Sequence, residues 1–408
     1  MKEKSIFIII SLMIKIVTFS QMMPQQGIWQ AKLLRKDSNA IVFNFQWQQI
    51  NDKPVLYVIN GAERIKVDKI TITKEDSIIF QMPVFESQFR AKMISKAKLE
   101  GVWIKSGAKQ NQIMPFTAVA NTSARFAIQS KPKANISGKW AMIFGEKNNP
   151  AIGIFQQNGA LVNGSIVTPT GDYRYLSGVV NGDTLRLSTF DGSHAFSFSA
   201  IIRNPTTISD GIFYAGALGK EMFTAMKNDT ATLPNTTAMY LNDEADSKLH
   251  FAFKNLDGKL VSIEDEQFKN KVVIVQLMGS WCPNCMDETA FLSDFYNKNK
   301  ERGIEVIGLA YELTDNFERS KNSILKFKER FGVQYPLLVT GVTVSDEKRT
   351  EKTLPQLTPI KVFPSTIIVD KTGRVHSIDT GFYGPGTGDY YKTFKHRFYS
   401  IIDELVNQ

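Results

Sequence analysis

The sequence predicts a multidomain protein: an all-β N-terminal region, duplicated to form a barrel or sandwich, followed by an α/β domain. Short segments of alternating apolar and polar residues fill residues 21–228, with turn residues between them. From residue 249 onward, apolar strands alternate with helical patterns instead. The composition, 43% hydrophobic and 22% charged over 408 residues, is ordinary for a soluble protein and allows cores of normal size.

Residues 1–20 have the pattern of a secretory signal peptide. Lys2 and Lys4 precede a short apolar stretch, and small residues lead to an expected cleavage site near Ser20-Gln21. An uncleaved membrane tether is the alternative. Elsewhere in the sequence, no apolar run is long enough to predict a transmembrane helix. The absence of a cysteine near the cleavage site excludes a lipoprotein cysteine. We therefore expect an exported, periplasmic protein with at most peripheral membrane contact.

The sequence of the all-β region indicates an internal duplication, with one copy at about 21–125 and the other at about 134–228. FTAVAN at 116–121 matches FTAMKN at 223–228, and DSIIFQM matches DTLRLST at the same offset. Two such β-meanders can bury their apolar faces in one barrel or in two small ones. A single lipocalin-like barrel is the first hypothesis.

The net charge of +9 is concentrated in the N-terminal part, because residues 249–408 hold equal numbers of basic and acidic residues. No dense basic block accompanies this excess, so solvated strand faces explain it and nucleic-acid binding is not expected. Residues 229–248 are rich in Asn, Thr and Asp and are predicted to be a linker.

The region 249–408 alternates strands and helices. HFAFKNLDGKLVSI predicts a hairpin around Asp257-Gly258, and KVVIVQLMG and IEVIGLAYE predict buried strands. One helix is expected from the cysteines to about Lys300, and a second ends at Gly332. PSTIIVD and KTGRVHSID predict a strand pair, and apolar spacing after Tyr390 predicts a final helix.

Cys282 and Cys285, in the segment GSWCPNC, are the only cysteines of the sequence. A helix that begins here directs its unpaired N–H groups and its positive dipole end toward Cys282, which favours a thiolate. Pro283 suits the first helical position, where a missing N–H breaks no bond. Cys282 is therefore predicted to be the exposed attacking thiol, and Cys285 the buried thiol that resolves a mixed disulfide.

A metal site and a purely structural disulfide are the alternatives. A structural zinc site needs four ligands, usually from two cysteine pairs, and the four histidines have no ligand spacing. A structural bridge around two residues would constrain the unfolded chain little. We therefore expect no metal and no cofactor.

The segments VVIVQLMGSWCPNCMDE and VFPSTIIVDKTGRV together resemble the thioredoxin-like superfamily, and within it the exported TlpA/ResA-like thiol–disulfide oxidoreductases. The resemblance covers about 250–408. It implies that Cys282 and Cys285 are the redox-active disulfide pair, and that Pro364 is the family's cis-proline beside it. An ordinary proline at the start of a strand is the alternative for Pro364.

The resemblance also assigns an acidic residue. Glu288 matches the last position of the family pattern WCxxCxxE and can exchange a proton with Cys285, although a solvent-facing helical glutamate is the alternative. Gln276 stands where many thioredoxins have a buried Asp, and Glu312 falls near another acidic position of relatives. The predicted catalytic residues are Cys282, Cys285, Glu288 and Pro364, and the predicted substrate-binding residues are Trp281, Pro283 and Phe363.

The function implied by this resemblance is disulfide exchange with exported proteins that carry thiols or disulfides. Reduction is the expected direction, with a membrane-linked electron donor recharging the pair. A thiol peroxidase is the alternative, but peroxiredoxins have a Thr three residues before the reactive cysteine, where this chain has Gly279. A third hypothesis makes the β-region a binding module and the redox domain its accessory.

Overall fold

The computed structural model describes residues 22–73, 75–242 and 246–408. The predicted signal peptide, 1–20, lies outside the described residues. Within the described residues, no helix is long and apolar enough to cross a membrane. Two antiparallel sheets are followed by an α/β domain, and contacts between these parts determine the surroundings of the cysteine pair.

Within the described ranges, the first nine strands form one antiparallel sheet. They are β1 (Gly27–Leu34), β2 (Ala40–Ile50), β3 (Lys53–Asn60), β4 (Glu63–Val67), β5 (Ile70–Ile72), β6 (Ser77–Gln81), β7 (Ser87–Ser95), β8 (Lys98–Lys105) and β9 (Gln112–Ala120). Apart from β4 and β5, strands that follow each other in sequence are neighbours in the sheet. β1 also pairs with β9, so the order runs from β4 through β1 and β9 to β5. Apolar and polar residues alternate along these strands, so the apolar side chains gather on one face of the sheet. That face is buried, and Trp29, Trp47 and Trp103 lie in its core.

The next nine strands in the described part of the chain repeat this order. They are β10 (Gly138–Phe144), β11 (Asn149–Asn158), β12 (Leu161–Thr168), β13 (Gly171–Asp172), β14 (Leu176–Asn181), β15 (Thr184–Phe190), β16 (Ala195–Asn204), β17 (Thr207–Ala215) and β18 (Gly219–Lys227). Here β12 pairs with both β11 and β14, and this closes the sheet into a ring. The expected all-β region with barrel-like sheets is confirmed, and its strands form two sheets rather than the single barrel of the first hypothesis. The likeness to lipocalins stays a hypothesis.

The two sheets share local details that support the predicted duplication. Trp29 in β1 donates its Nε1–H to the carbonyl of Gln25 at 2.9 Å, and Trp140 in β10 donates in the same way to Ile136 at 2.8 Å. Both tryptophans are completely buried. The equal strand order and these matching tryptophans favour the duplication, which stays a prediction.

The two sheets also share a core. Phe190, at the end of β15, is completely buried in the apolar cluster of the first sheet. Its ring stacks on that of Phe43 with 4.4 Å between centroids, and it meets Trp103 edge-on at 5.3 Å. One sheet therefore supplies an aromatic side chain to the interior of the other, which couples their stability.

The described part of the α/β domain contains a seven-stranded mixed sheet in the order β20-β19-β23-β22-β21-β24-β25. Its strands are β19 (Ala252–Asn255), β20 (Leu260–Ser262), β21 (Val272–Met278), β22 (Ile304–Ala310), β23 (Leu337–Val339), β24 (Ser365–Val369) and β25 (Val375–Thr380). Its helices are α1 (Pro283–Asn299), α2 (Phe317–Phe331), α3 (Arg349–Thr353) and α4 (Asp389–Asn407). The predicted hairpin around Asp257-Gly258 corresponds to β19 and β20. β21 is buried along its whole length, as a central strand with both faces covered should be.

Replacement of Phe190 tests the coupling of the two sheets. We expect Phe190→Ala to lower the free energy of unfolding by about 3–5 kcal/mol, because a fully buried ring leaves a cavity in the neighbouring sheet. Urea unfolding followed by tryptophan fluorescence measures this, and Tyr240→Ala, at a side chain that is 63% exposed, is the control. A loss no larger than that of the control contradicts the coupling.

Candidate active site

The two cysteines lie where β21 ends and α1 begins. Cys282 is the N-cap residue of α1, and its sulfur accepts a hydrogen bond from the backbone N–H of Cys285 at 3.1 Å. Pro283 occupies the first position of the helix, as predicted. Cys282 and Cys285 are joined by a disulfide. The N-terminus of α1 therefore directs N–H groups and the positive end of its dipole toward the Cys282 sulfur.

The exposure of Cys282 differs from the prediction. Only 4% of this residue is exposed, and Cys285 is completely buried. Val84 and Phe85 of the N-terminal region belong to the same buried apolar cluster as both cysteines. Residues from a distant part of the chain thus contribute to the core around the disulfide, and no local pattern around the cysteines indicates this.

The segment before β24 lies against the disulfide. The peptide bond between Phe363 and Pro364 is cis, which confirms what the resemblance implied. The Cys282 sulfur lies 3.6 Å from the carbonyl oxygen of Phe363. The Trp281 ring meets the Phe363 ring edge-on with 5.9 Å between centroids, and its Nε1–H donates to the Tyr311 carbonyl at 2.9 Å. The structure therefore brings the predicted catalytic and substrate-binding residues together around one disulfide, while their individual roles stay predictions.

Glu288 is buried, with 2% exposure, so the alternative of a solvent-facing glutamate is wrong. Its carboxylate accepts hydrogen bonds from Gln276 Nε2 at 2.8 Å and from Thr366 Oγ1 at 2.7 Å. Burial raises the pKa of Glu288 to about 7, although both hydrogen bonds oppose the shift. Because Glu288 follows Cys285 by three residues on α1, the two side chains share one helix face. A carboxyl that titrates near neutral pH is thus one turn from the buried cysteine.

Glu312 is a second buried carboxyl near the pair. It accepts hydrogen bonds from the backbone N–H of Ser280 at 2.8 Å and from Ser280 Oγ at 2.5 Å. Burial raises its pKa to about 7, against the effect of both hydrogen bonds. Glu312 therefore supports the turn that leads from β21 into Trp281 and Cys282.

A buried charge cluster next to α1 was missed by the sequence analysis. Arg174, in the connection between β13 and β14, lies 3.0 Å from Asp287 Oδ1 on α1 and 3.9 Å from Asp191 Oδ2. It also contacts Glu63 of the first sheet. Burial raises the pKa of Asp287 to about 8; Arg174 opposes this shift, and the neighbouring carboxylates add to it. No spacing or motif connects these residues, since they come from distant parts of the chain.

Metal-ligating side chains do not gather around the disulfide. Among the described residues, no three His, Cys, Asp or Glu side chains lie close enough together to hold a metal ion. His250 contacts Asp246 at 3.0 Å and Glu264 at 2.7 Å, which is an exposed ion-pair arrangement. That the protein uses no metal and no cofactor stays a prediction.

Comparison with known proteins shows which proteins the C-terminal part of the chain is similar to. A family model described as Redoxin matches residues 229–390. The thiol-disulfide oxidoreductase ResA of Halalkalibacterium halodurans is 25% identical over 134 residues, and the ResA of Geobacillus kaustophilus is 28% identical over 131 residues. The C-terminal domain is a TlpA/ResA-like member of the thioredoxin superfamily. The first two sheets end at Lys227 and lie outside the residues that the Redoxin model matches.

The alignments with the ResA proteins cover only part of this chain and only part of each relative. The alignments cover 33% and 32% of this chain and 66% of each ResA protein, slightly less than two thirds of the relatives' length. Among solved structures, a secreted thiol-disulfide isomerase from Corynebacterium glutamicum is similar, with 22% identity and a TM-score of 0.32. That match covers 44% of this chain and 97% of the other.

The pH dependence of stability tests the raised pKa of Glu288. A folded-state pKa of about 7, above the ordinary value of 4.5, means that stability falls as the pH rises through this window. We expect Glu288→Gln to remove this loss, so that from pH 4.5 to pH 8 the variant gains about 3 kcal/mol over the wild type. Urea unfolding of the oxidised protein at each pH measures the difference.

The matched control is Glu404→Gln, which changes an exposed glutamate of α4. This control should follow the wild type at every pH. A Glu288→Gln variant whose stability changes with pH in parallel with the wild type contradicts the raised pKa.

Proposed function

We propose that the protein is an exported thiol–disulfide oxidoreductase that exchanges disulfides with partner proteins through Cys282 and Cys285. The observation that carries this proposal is the Cys282–Cys285 disulfide at the N-terminus of α1, beside the cis bond of Phe363 and Pro364. The name of the ResA relatives supports the same reaction type. Export is supported by the signal-like pattern of residues 1–20.

In the proposed reductive direction, the Cys282 thiolate attacks one sulfur of a partner disulfide. A mixed disulfide forms, and the partner's other sulfur leaves as a thiolate that takes up a proton. Cys285 then loses its proton to Glu288 and attacks the Cys282 sulfur. The internal disulfide forms, the partner's second thiol is released, and two electrons have passed from the dithiol to the partner.

The surroundings support this assignment of roles. The N–H of Cys285, 3.1 Å from the Cys282 sulfur, can stabilise a thiolate on Cys282. Cys285 is completely buried, so it needs an internal proton acceptor such as Glu288. A membrane-linked dithiol donor is proposed to recharge the pair, and exported proteins with thiols or disulfides are the proposed partners.

The peroxidase alternative fits this turn poorly. A Cβ added at Gly279 would lie 2.2 Å from Trp281 Nε1, so the threonine expected in a peroxiredoxin has no space here. The alternative of a β-region that only binds a ligand is separable by mutation. If deletion of the β-region abolished the cellular role while Cys282→Ser left it intact, that alternative would replace the present proposal.

Covalent trapping is the direct test of the proposed function. Cys285→Ser should leave Cys282 in mixed disulfides with partners, because the attack that resolves them is lost. Non-reducing electrophoresis of an envelope fraction detects these complexes, and reduction should release the partners. The matched control, Cys282→Ser, keeps only the buried thiol and should form none. Absence of complexes with Cys285→Ser contradicts the proposal.

The proposed role of Glu288 is tested on the second step of the reaction alone, in which Cys285 attacks the Cys282 sulfur of the mixed disulfide. We expect Glu288→Gln to slow the release of a small peptide from its mixed disulfide with Cys282 by roughly tenfold to a hundredfold, because Cys285 loses its proton acceptor. The release rate of the wild type should also show an inflection near pH 7 that the variant lacks. Stopped-flow measurement checks both, with Glu404→Gln as control, and an unchanged rate and pH profile would refute the role.

A further inference from the structure

The loop of residues 83–86, between β6 and β7 of the first sheet, packs against the thioredoxin-like domain. Val84 and Phe85 are 2% and 3% exposed. Both belong to the apolar cluster that contains Cys282 and Cys285. Met82, directly before the loop, belongs instead to the core of its own sheet. At this loop the chain thus passes from the core of the first sheet to the core of the thioredoxin-like domain, in which Val84 and Phe85 are buried.

Phe85 lies across the segment that carries the disulfide. On one side it lines a small cavity with Ser280 and Trp281, which precede Cys282. On the other side it lines a second cavity of about 150 Å³ with Met286 and Asp287, which follow the second cysteine. Phe85 therefore lies beside the residues that come directly before and directly after the CPNC segment, in which Cys282 is only 4% exposed.

A polar contact holds the end of the loop. The Glu86 carboxylate accepts hydrogen bonds from Arg319 Nη2 at 2.7 Å and Nε at 3.2 Å, and another from Ser323 Oγ. Burial by itself would raise the pKa of Glu86. The hydrogen bonds from Arg319 and Ser323, both on α2, outweigh this effect, so the pKa of Glu86 is lowered. Arg319 also donates to the Gly107 carbonyl at 2.9 Å, so a second loop of the first sheet is tied to the same side chain. The contact is charge-assisted, and two nitrogens of Arg319 donate to the same carboxylate, which makes it stronger than a hydrogen bond between neutral groups.

The second sheet reaches the same segment from its corresponding loop, between β15 and β16. Ser193 Oγ donates to the Trp281 carbonyl at 3.1 Å. Lys105 of the first sheet donates to the Ser193 carbonyl at 2.8 Å and thereby connects the two loops. Loops of both N-terminal sheets thus contact the segment that carries Cys282.

We propose that the loop 83–86 determines which disulfides reach Cys282: it closes the site to folded proteins, and Glu86 is the latch that must release before they enter. This deepens the proposed function, on which it rests for the nature of the partner. Withdrawal of the loop breaks no covalent bond; it exchanges the contacts of Phe85 and Glu86 for those of the incoming protein. An open form with a small population then limits the rate of reaction with large partners.

The test measures access to Cys282 without any partner protein. In a Cys285→Ser background Cys282 is the only thiol of the full-length chain. Its rate of modification is measured with N-ethylmaleimide and with a polyethylene-glycol maleimide, and each rate is divided by the rate at which the same reagent modifies the thiol of glutathione. The ratio of the large to the small reagent reports access, because a change in the intrinsic reactivity of the thiol alters both rates alike.

We expect Glu86→Gln to raise this ratio about tenfold, since loss of a charge-assisted bond favours the open form. Arg319→Gln removes the other side of the latch and should raise it equally, which keeps the test valid if one variant folds poorly. Glu100→Gln is the matched control, because it breaks an exposed ion pair with Lys98 in the same sheet. Unchanged ratios in both latch variants would overturn the proposal, and so would a Cys285→Ser parent protein whose ratio of large to small reagent equals that of glutathione. Failure to trap partners with Cys285→Ser concerns the proposed function alone and leaves these ratios unaffected.

Discussion

The guanidinium of Arg174, whose side chain is only 2% exposed, joins the three parts of the molecule. It faces Glu63 of the first sheet, Asp191 at the end of β15 and Asp287 of the thioredoxin-like domain. A buried cation is costly without acidic partners, and these three side chains supply them. Asp172 adds a contact of its own, accepting the backbone N–H of Gly384 at 2.6 Å. These contacts attach both sheets to α1, the helix that begins beside Cys282.

Burial is the common cause behind the unusual chemistry of the site. The apolar cover of the first sheet, the helix α1 and the central strand β21 exclude water from the cysteine pair. The same exclusion raises the pKa of Glu288 and of Glu312 to about 7. Two carboxyls that can change protonation near neutral pH thus flank a disulfide that is largely withdrawn from solvent. An exposed dithiol would react with more partners, but its acid–base groups would have ordinary pKa values.

The parts of the site that the sequence could predict are those built from local patterns. The beginning of α1 at Pro283, the pairing of Cys282 with Cys285, and Pro364 beside them follow from short motifs and from a family resemblance. Alternation also predicted strands throughout the β-region, but period-two patterns do not specify how strands close, so two sheets replaced the single barrel of the first hypothesis. The contact of Glu86 with Arg319 joins residues 233 positions apart, and no pattern of one sequence indicates it.

The two β-sheets differ in how their strand order closes. In the second sheet, hydrogen bonds run in a ring through β12, so displacing a strand of the ring breaks pairs on both sides of it. Among the described strands, the order of the first sheet instead begins at β4 and ends at β5, and β6, which leads into the loop 83–86, is next to that end. The sheet that sends a loop to the redox domain is therefore the one whose ladder of backbone pairs is not a ring among the described strands.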